Sequence, residues 1–576
     1  MVLDQRRLID RAFWSNSVEN DINSSSNRYT KLKAEQENCM ERFEMQREAK
    51  IGIAIVIIVI MVALGAWWYY RSIPATPATD VNTLVFAVPS DPRSFDPAVV
   101  LDDSMRQLAP MYETLTHVTP EGKAEPLLAT SWEVSPDGMV WTFHLRQGVK
   151  FHDGTPFNAS VVKFNYDRIL TINQAGAYML YCINKTEIID LYTIRFTLNW
   201  PTPFDYVVGA AYTLYMLSPS YVIAHEKEGD IGRAWMDDHT CGTGPYQLDS
   251  WVHGQQVTLL KFDGYWRGWE GKHVSKVIIK VIRDPSTAEM ALKKGELDCV
   301  YYDILPYDKY EELKKDPNIK VEMDPSFNTL YFRLNCIKPP LDDVRVRKAI
   351  SYAFPYEDAR TSIFLGGVEQ LQGPLPSDFW GHDDTLPKYT YDLEKAKQLL
   401  SEAGHPNGGF TLTMYYYSGV DHVRRCVELF ASSLSKLGIT LDARGFPFDE
   451  LFPLCVNPDT APHISVHNWD PSYADPFDYL YGMFHTDSIG IFNWAFYKNS
   501  NFDKLITEGN GLAATNKEAA IEKYKQAQEI LVEDAPTIFL FQLNYHRIAR
   551  SWVHGWQFDP YYQYHIDYYH IYKEVV

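Results

Sequence analysis

Apolar and polar positions follow two rhythms along this chain, and the switches between them mark its elements. "TSWEVSPDGMVWTFHLRQGVKFHDG" (Thr130–Gly154) alternates with a period of two, the spacing of a strand with one buried face. Its "SPDG" at Ser135–Gly138 supplies turn residues, so the stretch predicts a β-hairpin. "TEIIDLYTIRFTLNWPTP" predicts two further strands, and the unbroken apolar runs "TLVFAVP" (Thr83–Pro89) and "TIFLFQL" (Thr537–Leu543) predict buried ones. Helical spacing governs Asn158–Leu170, with Asn158 as N-cap, then Asp343–Phe354, Leu393–Gly404, Arg424–Gly438 and "NKEAAIEKYKQAQEILVEDA". The Leu393 and Arg424 helices end on glycine and lead into strands at Phe410–Tyr417 and Ile439–Phe446. Helix alternating with strand predicts α/β lobes.

One run obeys neither rhythm. "IGIAIVIIVIMVALGAWWYY" (Ile51–Tyr70) carries no charge, and such a run at about 1.5 Å per residue covers a bilayer core of about 30 Å. It ends on Trp67, Trp68, Tyr69 and Tyr70, the aromatics of a membrane interface. Lys31, Lys33, Arg42, Arg47 and Lys50 precede it and only Arg71 follows closely, which places the N-terminus inside and the rest outside the cell. The expected order is a cytoplasmic segment (residues 1–50), a transmembrane helix (51–70) and a Pro/Thr/Ala linker (71–82). The expected location is the cell membrane, single-pass, with the large C-terminal part extracytoplasmic on an archaeal or bacterial surface.

The 576-residue length allows about two to four structural units. A net charge of −20 opposes a nucleic-acid partner, whose phosphates need a basic face. Six cysteines, Cys182, Cys241, Cys299, Cys336, Cys426 and Cys455, follow the apolar run; they allow disulfides or buried thiols, and no CxxC suggests a metal knuckle. Asn158-Ala-Ser and Asn184-Lys-Thr are glycosylation sequons. Catalytic signatures are thin: "HEKEG" at His225 lacks the second His of a zinc protease, and "GTGPYQL" lacks the Lys-Ser/Thr of a phosphate loop. The chain therefore reads as a non-enzyme with no catalytic residues, no metal site and no cofactor. Its aromatic content of 14%, with 38 Tyr, suits either a Tyr-rich core or a cavity lined by aromatics.

Four cassettes carry a family likeness: "LLATSWEVSPDGMVWTFHLRQGVKFHDGTPF" (Leu127–Phe157), "GTGPY" (Gly242–Tyr246), "PPLDDVRVRKAISYAF" (Pro339–Phe354) and "NWDPSYADPFDYLYGMF" (Asn468–Phe484). In this order, over Thr83–Val576, they resemble the peptide/nickel (family 5) solute-binding proteins of ABC importers. The resemblance implies an α/β, type II (class C) periplasmic-binding-protein fold: two lobes plus an extra subdomain, closing on a ligand. It places lobe I at 83–124 with 240–325 and 541–576, the extra subdomain at 125–239 and lobe II at 326–540, with hinge strands near Asp324 and Gln542. It implies a peptide or other small solute as ligand, and ABC permease and ATPase subunits as partners. A rival within the class is an oligosaccharide receptor; rivals outside it are a surface hydrolase or a sensor using the same fold.

In peptide-binding members an Asp three residues after a Trp takes the ligand's α-ammonium. Here the Trp is Trp469, the third position on is Ser472, and the following Asp-Pro is Asp475-Pro476. Asp470 stands next to the Trp and is the alternative carboxylate. The candidate ligand-binding residues are therefore Trp469, Asp470, Ser472, Asp475, Tyr112, Tyr416, Tyr417 and Tyr545.

Overall fold

Two strands, Ile319–Leu334 and Thr537–Arg550, are far longer than the rest and pair antiparallel along nearly their whole length. The computed structural model describes residues 80–574 and, before them, Met61. The segment 1–50, the expected membrane run 51–70 apart from Met61, and the linker up to residue 79 lie outside the described residues. Among those described, no helix is long and apolar enough to cross a membrane.

The long pair is the spine of an eleven-stranded sheet among the described residues. On the side of Ile319–Pro325 and Asn544–Arg550, Cys299–Val300 joins the ribbon, followed by Thr83–Val88, Lys276–Val281, Gln256–Lys261 and Tyr246–Val252. Beside Thr329–Leu334, the strand Ile464–Trp469 joins it, followed by Thr411–Tyr417 and Thr440–Phe446. The two halves thus hang from opposite ends of one ribbon, which is the geometry of a hinge.

The register shifts between Pro325 and Thr329. Pro325 has no N–H to give the ladder, so pairing breaks there. Side chains close the gap: Ser326 Oγ donates to the Leu543 carbonyl at 2.7 Å, and Gln542 Nε2 donates to the Ser326 carbonyl at 2.9 Å.

The hairpin predicted around "SPDG" forms, with strands Ala129–Val134 and Val140–Leu145. Gly138 takes φ +71°, a conformation glycine adopts without strain. The hairpin continues into Thr193–Leu198 and Ile183–Asp190 as a separate four-stranded sheet. That sheet has its own core, including Trp141, Phe143, Phe196 and Phe204. The helix Ala159–Ile172 packs on it, started by Asn158, whose Oδ1 accepts from Ser160 N at 2.9 Å. The helix is tied to the segment that follows the strand Thr83–Val88 by a buried fork: Arg168 donates to both oxygens of Asp96, at 2.9 and 2.6 Å. Such bidentate pairs fix orientation as well as charge.

"GTGPY" has a steric explanation. A Cβ on Gly242 would lie 2.0 Å from the Met111 carbonyl oxygen, and one on Gly244 would lie 2.5 Å from the Met111 carbonyl carbon. Only glycine lets these two segments cross. The other predicted helices appear at Val344–Tyr352, Leu393–Glu402, Asp421–Ser435 and Lys517–Asp534. "TIFLFQL" is only the start of a strand that runs on to Arg550. The six cysteines outside the N-terminal segment are free thiols, five of them buried.

Candidate ligand-binding site

The strand Ile464–Trp469 runs beside Thr329–Leu334 until Pro471 stops it. Past the proline the chain loops to Asp475, which caps the helix Pro476–Phe484: its Oδ1 accepts from Phe477 N at 2.8 Å. Strand end, loop and helix start thus bring Asp470, Asp475 and Asp478 close together. Burial pushes each of these carboxyls up to about 7.

Their partners differ. Asp478 Oδ2 accepts from Trp469 Nε1 and from Ser472 N, both at 2.9 Å. Asp475 Oδ1 also accepts from the Tyr524 hydroxyl at 2.8 Å, while its buried Oδ2 has no partner. Asp470 Oδ2 accepts from Asn328 Nδ2 at 3.0 Å and from the Tyr564 hydroxyl at 3.2 Å, while its enclosed Oδ1 has no partner. Behind Asp470 the donors line up in one direction. The Tyr417 hydroxyl donates to Asn468 Oδ1, Asn468 Nδ2 to Asn328 Oδ1 at 2.8 Å, and Asn328 in turn to Asp470. Every dipole in the chain favours negative charge at Asp470.

Tyr564 reaches Asp470 from the opposite half of the molecule, beside Arg106. The Arg106 guanidinium is 2% exposed and lies 3.9 Å from the Tyr301 ring centroid and 5.2 Å from that of Tyr564. It pairs with Asp103 at 2.7 Å and Asp303 at 3.7 Å. Tyr301 and Tyr302 directly follow the strand Cys299–Val300, at the strand end where α/β sheets commonly place ligands. Tyr302 lies 4.7 Å from Tyr545, and Tyr212 lies 6.2 Å from Tyr564. Around these rings stand three carboxylates, Asp103, Asp303 and Asp470, against one guanidinium. Such a wall suits a guest that brings positive charge. No group of three or more His, Cys, Asp or Glu placed to hold a metal occurs among the described residues.

The structure distributes the residues expected from sequence. Asp470, Tyr417 and Tyr545 belong to this constellation. Trp469 is 6% exposed and turned onto its own helix, against Gly482 and 5.3 Å from Phe492. Asp475 is fully buried. Tyr416 points away from Tyr417, as neighbours on a strand must, and lies over Gly445. Tyr112 donates to the Phe95 carbonyl at 3.2 Å and packs near Tyr215 in the first half. Ser472 is a clasp: its carbonyl accepts from Ala211 N at 2.9 Å and its Oγ from the Tyr178 hydroxyl at 3.2 Å, both in the segment that carries the four-stranded sheet.

Sequence reading missed Arg106, Asp303, Tyr212, Tyr301, Tyr302, Tyr564 and Asn328. A signal existed for three of them, since "CVYYD" places paired tyrosines and an acid directly after a buried strand. Of the others, Arg106, Tyr212 and Tyr564 come together from distant stretches of the first half, and Asn328 reaches Asp470 from the hinge strand.

Two halves hung on one long two-stranded ribbon, with an aromatic and acidic cluster where they meet, are the architecture of a binding protein of the periplasmic type. The chain belongs to the bacterial extracellular solute-binding proteins, family 5, whose middle-region model matches residues 123–490. It is 32% identical to the "probable D,D-dipeptide-binding periplasmic protein DdpA" of Escherichia coli K12, over 84% of this chain and 93% of that protein. It is 31% identical to the glutathione-binding protein GsiB of Pectobacterium atrosepticum, over 81% and 90% of the two chains. Among solved structures it resembles DppA of Helicobacter pylori in complex with the peptide STSA, at TM-score 0.77 and 29% identity, covering 86% of this chain and 98% of that one.

Proposed function

We propose that this chain is the extracytoplasmic receptor of an ABC importer and that it encloses peptides by their free amino end, with Asp470 as the counter-ion. The observation that carries the reading is the enclosed Oδ1 of Asp470, unpartnered at the end of a one-way chain of donors. An α-ammonium offers that oxygen a charge-assisted hydrogen bond, and Tyr212, Tyr564 and Tyr417 would surround it. The peptide ligands named for three similar proteins support the same class. Trp469 and Ser472 then support the site, Trp469 as the wall behind Asp470 and Ser472 as part of the closure. Ile51–Tyr70 would tether the receptor to the membrane, and the closed form would be what the permease recognises.

Calorimetry with di- to tetrapeptides and their N-acetylated counterparts tests the ligand. Free-amine peptides should bind, the acetylated forms should not, and Asp470→Asn should weaken the former about 100-fold, the scale of a charge-assisted contact of about 2.7 kcal/mol. Binding of β-linked oligosaccharides instead, unaffected by Asp470→Asn, would transfer the site to the sugar reading.

A further inference from the structure

Within the second half of the sheet lies a cation with nothing to bind. Tyr331 and Arg333 leave the strand Ile319–Leu334 on one face. The register sets His467 opposite Tyr331 and Ser465 opposite Arg333, so all four side chains share that face. Arg333 is fully buried. The Phe484 ring centroid lies 4.7 Å from its guanidinium carbon and that of Tyr331 lies 5.0 Å away. None of Nε, NH1 or NH2 has a hydrogen-bond partner, and neither has Nδ1 of His467. Among the described residues no carboxylate forms an ion pair with Arg333.

We propose that Arg333 and His467 hold a small monovalent anion of the halide class inside this lobe. A guanidinium presents five N–H donors, and ring faces offset its charge without accepting those hydrogens. An uncompensated buried charge is among the costliest features a fold can carry. Burial holds the arginine down to about 9, still cationic at neutral pH. Burial first, and the neighbouring guanidinium second, hold His467 well below its ordinary value. The imidazole is therefore neutral and can present Nδ1–H as a further donor. These surroundings thus carry one positive charge and no paired carboxylate, so one negative charge completes them. Its walls are apolar and polarisable: Trp494 stacks on His467 at 4.1 Å, and Phe484 covers the guanidinium. A large, weakly hydrated ion fits such walls better than a divalent oxyanion, which would reverse the charge and demand more donors. The site lies on the strand that ends in Trp469 and Asp470, so its occupant would stiffen the support of the ligand pocket without touching the ligand.

Bromide stands in for the anion and is located by its anomalous scattering. Crystals of the wild-type protein soaked in sodium bromide should show a peak within hydrogen-bond reach of Arg333 and His467 Nδ1. Peaks confined to the surface, or water alone at Arg333, would overturn the proposal. In solution, replacing gluconate by chloride at constant ionic strength should raise Tm by about 1 °C per tenfold chloride above the dissociation constant. Arg333→Met fills the same space without the charge and should abolish that response. An equal response in both proteins sinks the idea, and if the variant does not fold, the bromide map still decides.

Discussion

One ten-residue stretch, Trp469–Asp478, holds acids in contrasting surroundings. At its far end Asp478 is a closed circuit, with donors from Trp469 and Ser472 converging on it, while Asp475 takes Phe477 N and the Tyr524 hydroxyl on one oxygen and keeps the other unpartnered inside the lobe. At its near end Asp470 is open, with one oxygen donated to by both halves of the molecule and the other unpartnered. All three are shifted up to about 7 by burial, so the shift does not tell them apart. Unfilled hydrogen-bonding capacity separates Asp470 from Asp478, and donors arriving from both halves of the molecule separate it from Asp475, whose donors both belong to its own lobe. The acid that suits a ligand is the one that both lacks a partner and stands between the two halves.

Removing the closed acid should have the largest effect. Asp478→Ala strands two buried donors, the Trp469 indole and the Ser472 N–H, at about 1–3 kcal/mol each. Unfolding in urea should show a loss of about 2–5 kcal/mol. A loss below about 1 kcal/mol would mean that Asp478 is not the loop's anchor.

Asp470→Asn should do the reverse. The amide is nearly isosteric and removes an enclosed charge, so Tm should hold or rise while free-amine peptides lose about 100-fold in affinity, or about 2.7 kcal/mol. Stability falling together with affinity would erase the contrast with Asp478.

The same contrast has a pH signature. An ammonium needs Asp470 ionised, and its carboxyl stands at about 7 in the unliganded protein. Affinity should therefore fall toward tenfold per unit as pH drops below 7, and Asp470→Asn should flatten the profile. Stability without ligand runs the opposite way. These three acids hold protons in the folded state that the unfolded chain gives up above about pH 4, so unfolding releases protons between about pH 4 and 7 and their contribution declines as pH rises through that window. Thermal melts of wild type against Asp470→Asn isolate the share of the open acid. Identical pH slopes would show that Asp470 titrates normally.

Local features were the legible ones. The hairpin at Ser135–Gly138, the cap at Asn158 and the helices ending before Gly404 and Gly438 each rest on neighbours in sequence, and each formed. Asp470 was visible because the loop's aromatics and prolines are strung together around it. Its partners Asn328 and Tyr564 lie 142 and 94 residues away in sequence. Nothing in local pattern links them, since hinge strands and lobe closure bring them together. Trp469 shows the complementary limit: a Trp beside acids suits a ligand wall or an indole donating to its own loop, and only the position of Asp478, nine residues on, decides where the ring turns.

Ser472 should give the smallest effect, and the reason lies in which of its atoms carry the clasp. The bond that crosses from Ala211 ends on the Ser472 carbonyl, which every residue has, and the bond to Asp478 starts from its N–H. Only the Tyr178 contact uses the hydroxyl. Ser472→Ala therefore removes one neutral hydrogen bond and should cost about 0.5–1 kcal/mol in peptide affinity, a factor of about two to five. Ser472→Asp is the sharper variant, because it restores the acid at the third position after Trp469. That acid would enter a loop already holding three carboxylates, with its hydrogen-bonding partner a tyrosine rather than a cation. Weaker peptide binding by Ser472→Asp than by Ser472→Ala is the expected result. Tighter binding would show that the amino end sits at position 472 and that Asp470 only supports it.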